Sequence, residues 1–136
     1  MHQRAIVLSS DAFNSVDSKP HFINERCFGE DFAAWVAERL PKYGIEASEP
    51  IQEDWGWCLV ARKNGRKFTV FIGIMDDSIG QSPADWRIGA SYERPMNGPL
   101  ALFRPVPQSG LEAVAQALHD MCRAQPNFRD VRWADD

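Results

Sequence analysis

Three residues near the start of the chain have the types that nucleophilic catalysis uses. His21, Asn24 and Cys27 lie within seven positions, just ahead of an apolar stretch of helical spacing. A thiol beside an imidazole base and an orienting amide is the composition of a cysteine nucleophile, and the amide donors and dipole at a helix start favour the thiolate. Such groups usually come from distant parts of a chain, so these three share one pocket only if their loop folds back. The plainer reading is a small thiol buried against the first helix. Cys27, with His21 and Asn24, is therefore a candidate for thiol-dependent acyl or redox chemistry set against a structural role.

A second group is acidic. The hairpin register described below sets Glu53 opposite Asp76, with Asp54 near Met75 and Asp77, so that Glu53, Asp54, Asp76 and Asp77 gather at the open end of one ribbon. Carboxylates so placed suit a hard divalent cation or a basic protein partner. No D-x-D-x-D-G loop or H-x-x-E pairing accompanies them, so a metal is disfavoured; the other reading is a solvated rim. No cofactor is expected. A third feature runs from residue 95 to 107. Pro95, Pro99, Pro105 and Pro107 forbid a helix, yet Met96, Leu100, Leu102, Phe103 and Val106 are too apolar for an ordinary solvated loop. Either this segment covers its own domain, or Leu100, Leu102 and Phe103 face a partner, a second copy of the chain included.

The elements that must position these residues start from Asn64-Gly65, which tolerate the positive φ of a two-residue type I′ turn. That turn pairs Trp57 with Ile72, Leu59 with Val70 and Ala61 with Phe68 on one apolar face, and extends to Trp55 opposite Ile74. The other face carries Arg62 with Lys67, Val60 with Thr69 and Cys58 with Phe71. Gly56 falls opposite Gly73, leaving a bare patch for a backbone or a flat ligand, or simply easing the twist. Residues 85–93 alternate as a half-buried third strand. Residues 4–9 read as a short first strand and 131–133 as a short last one at an edge. Phe28, Phe32, Trp35, Val36 and Leu40 stripe a first helix closed by Pro41 and Gly44, and Leu111, Val114, Ala115, Leu118, Met121 and Cys122 stripe a second. Ser109 and Glu112 have capping-box spacing at its start. Together these elements predict an α+β two-layer sandwich, a mainly antiparallel sheet with two helices on one face.

Length and composition bound the rest. A chain of 136 residues, 44% hydrophobic and 25% charged, is one domain spanning residues 1–136. Its net charge of −4 argues against nucleic acid or anionic membrane as a partner. The apolar run Ala5–Leu8 is too short for a signal or a span, and three scattered cysteines give no disulfide framework or zinc site, so a cytoplasmic location is expected.

The stretch His21-Phe22-Ile23-Asn24-Glu25-Arg26-Cys27-Phe28-Gly29-Glu30-Asp31 and the stretch Glu53-Asp54-Trp55-Gly56-Trp57 together resemble a family of small, uncharacterised bacterial proteins. The resemblance spans roughly residues 4–93 and 128–132 and leaves 95–107 unmatched. It implies a compact bacterial cytoplasmic domain and assigns neither an activity nor a catalytic residue. The function expected is a non-catalytic binding or protein-interaction domain acting through the acidic hairpin end and the proline-rich segment. An immunity or inhibitor protein against a basic toxin has the same properties by analogy. The alternatives are an enzyme with Cys27 as nucleophile, or a small-ligand domain with its pocket between the helices and the tryptophan-lined sheet.

Overall fold

The computed structural model describes residues 2–92 and 107–134. Strands β1 (His2–Ser10), β4 (Gly56–Lys63), β5 (Arg66–Ile74), β6 (Ala84–Tyr92) and β7 (Phe128–Trp133), with the short β2 (Glu46–Ala47) and β3 (Ile51–Glu53), make a seven-stranded sheet whose pairs are all antiparallel. The order is β2-β4-β5-β6-β1-β7, with β3 also on β4. Helices α1 (Glu30–Arg39) and α2 (Gln108–Arg123) pack on one face, giving the expected α+β sandwich.

The Asn64-Gly65 turn forms as its residues require, with φ of 52° and 76°, and it sets the pairs Trp57–Ile72, Leu59–Val70 and Ala61–Phe68. Those side chains, with Ile6, Leu8, Trp86, Ile88 and Ala90 from the neighbouring strands, form the inner face and are buried. Phe32 of α1 stacks on Phe13 and meets Trp86 edge-on at 5.5 Å, while Leu111, Val114 and Leu118 of α2 close the other half of the core. Burying each such side chain contributes about 1.5–3 kcal/mol, so this layer contact dominates the stability.

Four local expectations are corrected. The β4–β5 ladder stops at Trp57–Ile72 instead of running on to Trp55–Ile74. Gly56 has φ 153°, and a Cβ there would stand 2.5 Å from the Ile72 carbonyl oxygen, so β4 begins at a close backbone approach and the chain before it turns away. Asp54 and Trp55 make a tight turn, and β3 folds back with Glu53 opposite Gly56. Trp55 is consequently 47% exposed rather than in the core. The first strand is longer than expected and lies inside the sheet between β6 and β7; β7 forms the edge, its bulge accommodated by Asp130 at φ 56°. Finally, α2 starts one residue before Ser109, with Pro107 at its N-cap and no side-chain cap bond, so the capping box does not form.

β2 and β3 are one edge strand broken in the middle. Pro50 has no N–H to give to a ladder. Ser48 takes over part of the pairing: its amide donates to the Val60 carbonyl at 2.9 Å and its hydroxyl accepts from the Val60 amide at 2.8 Å.

Candidate functional site

The 21–27 loop is fastened to the β3–β4 hairpin. The Gln52 side-chain amide donates to the His21 carbonyl at 3.1 Å, and its oxygen accepts from the Ile23 amide at 2.9 Å. The Asn24 side chain donates to the Asp54 carbonyl at 2.8 Å and accepts from the Arg26 amide at 2.7 Å. Trp57 Nε1–H reaches the Cys27 carbonyl at 2.8 Å from inside the core. Loop folding therefore does bring Asn24 to Cys27, with the thiol 3.6 Å from the Asn24 side-chain oxygen.

What the loop builds is a buried thiol. Cys27 is fully buried, and its S–H faces the Glu53 carbonyl at 3.3 Å. The base candidate is directed elsewhere: His21 Nε2 lies 2.7 Å from Glu30 Oε1 on the exposed side of the loop, with its ring edge-on to Phe22 and Trp57. Cys27 thus sits among hydrogen-bond acceptors and packed side chains, with no path for a substrate carbonyl to its sulfur and its base candidate engaged by a carboxylate.

The acidic residues divide among three depressions. Asp54 and Asp76 line one of about 650 Å³ together with Asn24, Glu25, Arg26 and Ile79. Arg26 Nη1 approaches Asp76 Oδ2 at 3.8 Å, an exposed pair of small energetic weight. Asp77 faces a second, about 330 Å³, with Ser9, Asp85, Asp130 and Arg132. Glu53 faces a third, on the opposite side of the sheet from the helices. Glu53 is not laddered opposite Asp76 as the longer hairpin would require, because the 54–55 turn sets it opposite Gly56, and the four carboxylates are spread over different depressions. Among the described residues no group of three or more His, Cys, Asp or Glu side chains is placed to hold a metal ion.

The third depression, about 720 Å³, lies on the outer face of the sheet. The registers line up its rows: Cys58, Phe71, Gly89 and Ala5 run across the middle, Val60, Thr69, Ser91 and Gln3 on one side, Gly73, Arg87 and Val7 on the other. Gly89 shapes the floor. A Cβ there would lie 2.5 Å from Phe71 Cζ, so the missing side chain lets the Phe71 ring lie across the neighbouring strand. Trp55, raised by its turn, stands edge-on to Phe71 at 6.5 Å, and the Arg87 guanidinium sits 5.9 Å from the Phe71 ring centre. Arg87 has no hydrogen-bond acceptor among the described residues. At the far end Cys58 Sγ lies 3.9 Å from Glu53 Oε1; burial first, and then the Glu53 charge, push the Cys58 thiol up from its ordinary value. The pairing of Cys58 with Phe71 is legible in the hairpin, but Arg87, Ser91 and Gln3 join them only through the β5–β6 and β6–β1 registers, which no two-residue turn fixes.

Leu100, Leu102 and Phe103, the expected apolar contact residues, lie outside the described residues, as does the rest of 93–106. No helix among the described residues is long and apolar enough to cross a membrane. No protein-family model, no curated protein and no solved structure matches this chain.

Proposed function

We propose that this is a non-catalytic protein-interaction domain that docks a basic protein partner at the end where the 21–27 loop meets the turns after β3 and β5. The observation that carries the reading is the coincidence of exposed apolar side chains with an excess of acid. Six large hydrophobic residues are exposed among the described ones, and four of them, Ile23 (58%), Trp55 (47%), Ile51 (44%) and Met75 (39%), sit on the segments that converge at this end. Glu25, Asp54 and Asp76 surround the depression between those segments, with Arg26 the one cation lining it among the described residues. An exposed tryptophan with aliphatic neighbours and a charged rim is the composition of an interface anchor, and the sign of the rim selects a basic surface.

A cytoplasmic location goes with this reading: Cys27, Cys58 and Cys122 are all free and buried, an arrangement suited to a reducing compartment. The test is affinity capture with the intact chain and with a Glu25→Lys, Asp54→Lys, Asp76→Lys variant whose circular dichroism matches it. Charge reversal should reduce recovery of the captured proteins at least about tenfold, and raising the salt should weaken what the unaltered chain captures. Equal recovery of the same proteins by both forms overturns the reading. Light scattering on the isolated chain separates a foreign partner from self-association through residues 95–107, which would appear as a dimer mass that charge reversal does not shift.

A further inference from the structure

We propose that the outer-face depression over Phe71 is a second, separate site that binds a small aromatic acid carrying a hydrogen-bond donor at its far end. The acidic depression and this one share no lining residue, so reversing the charges of the first leaves the second intact; Trp55 alone belongs to both surfaces, as an exposed anchor there and as a wall here.

The ligand class follows from what the lining leaves unsatisfied. The floor is one flat aromatic ring, held down by the absence of a side chain at Gly89, with an indole wall at Trp55. Stacked or edge-to-face aromatic contact is the interaction such a floor and wall offer best. Arg87 borders the same ring, and its planar fork of donors has no acceptor among the described residues. A guanidinium so placed fits one carboxylate in the plane of a ring lying on Phe71. Glu53 supplies the opposite sign at the other end, where its carboxylate meets the Cys58 thiol and no cation among the described residues. That carboxylate accepts from a hydroxyl or amino substituent and repels a second negative charge, which excludes polyphosphates. The Thr69 and Ser91 side chains line one flank and add polar contacts for substituents. The volume of about 720 Å³ is of the size that takes a small molecule.

The probes are 4-hydroxybenzoate, 4-aminobenzoate and benzoate, with 4-hydroxybenzamide as the uncharged counterpart, titrated calorimetrically and by amide NMR shifts on the intact chain. The two substituted benzoates should bind with Kd below about 1 mM, shifting the amides of Phe71, Arg87, Gly89 and Ser91. Benzoate should bind several-fold more weakly, and the benzamide at least tenfold more weakly. Arg87→Gln should weaken 4-hydroxybenzoate binding at least about tenfold, the scale of a charged hydrogen-bonded contact, with Arg87→Lys in between; Glu53→Gln should narrow the gap between 4-hydroxybenzoate and benzoate. The proposal is overturned if neither substituted benzoate shifts those amides, if the shifts fall on another face, or if Arg87→Gln, folded by circular dichroism, binds as tightly as the unaltered chain. Should Arg87→Gln not fold, the benzoate-against-benzamide comparison on the unaltered chain decides: equal affinity overturns the role of Arg87. The partner-capture result does not enter any of these outcomes.

Discussion

Gly89→Ala isolates the geometry that makes the outer face concave. The added Cβ would press on the carbonyl oxygen of Arg4 and stand 2.5 Å from Cζ of Phe71 and 2.9 Å from Cα of Ala5. Two of those three atoms belong to the backbone of β1, which is laddered to β6 on one side and β7 on the other, so no rotamer change relieves them. Overpacking of this kind costs about 1–3 kcal/mol, and the rigid neighbours place it near 3. Alanine returns roughly 0.4–1 kcal/mol by restricting the unfolded chain. The net expectation is a loss of about 2 kcal/mol, or a melting temperature lower by about 7 °C for a chain of this length. Urea unfolding followed by far-UV circular dichroism measures it. A second arm tests the cause: in a Phe71→Ala background the ring contact is gone but the β1 backbone contacts remain, so Gly89→Ala should still cost about 1 kcal/mol or more. A loss below about 0.5 kcal/mol in the native background, or full recovery once the ring is removed, would refute the claim that strand spacing forbids a side chain here.

Two further outcomes test the loop and the core. Trp57→Phe removes the buried donor to the Cys27 carbonyl and some indole volume, so stability should fall by about 2 kcal/mol and Cys27 should become faster to alkylate with iodoacetamide under native conditions; an unchanged urea midpoint would show that the 21–27 loop does not depend on that bond. Burial pushes the Cys122 thiol from 9.0 up to about 12, so the folded state keeps a proton that the unfolded chain loses above pH 9. The resulting stability is complete below that pH and declines as pH rises toward 12, by about 1 kcal/mol at pH 10. The stability gap between the native chain and Cys122→Ala should therefore shrink by that amount from pH 7 to pH 10, and parallel curves would contradict it.

The local part of the fold was legible in the residues themselves. Asn64-Gly65 fixes a turn, the turn fixes a register, and the alternation of Trp57, Leu59 and Ala61 against Ile72, Val70 and Phe68 fixes which face is buried. The helix stripes are equally local, because a period near 3.6 residues places Phe32 and Val36, or Leu111, Val114 and Leu118, on one side whatever the surroundings. The nearness of Asn24 to Cys27 depends on the loop folding back, which the residue spacing leaves open and the Asn24 bonds to the Asp54 carbonyl and the Arg26 amide bring about.

Other features were decided only by tertiary structure. The point at which the ladder ends depends on how closely Gly56 approaches Ile72, a backbone contact between strands, and that contact sends Glu53 to the outer face and Trp55 into solvent. Whether His21 serves a thiol or a carboxylate depends on where α1 places Glu30. Arg87 meets Phe71 because β5 and β6 pair across residues 75–83, whose Asp76-Asp77-Ser78, Gly80 and Ser82-Pro83 mark a turn without fixing a register, and the space at Gly89 is taken by β1, which arrives from the far end of the sequence. Periodicity reports which way a side chain points within its own element. Which side chains share a surface is set by pairing between elements distant in the chain, where loop closure and packing, rather than local preference, choose the partner.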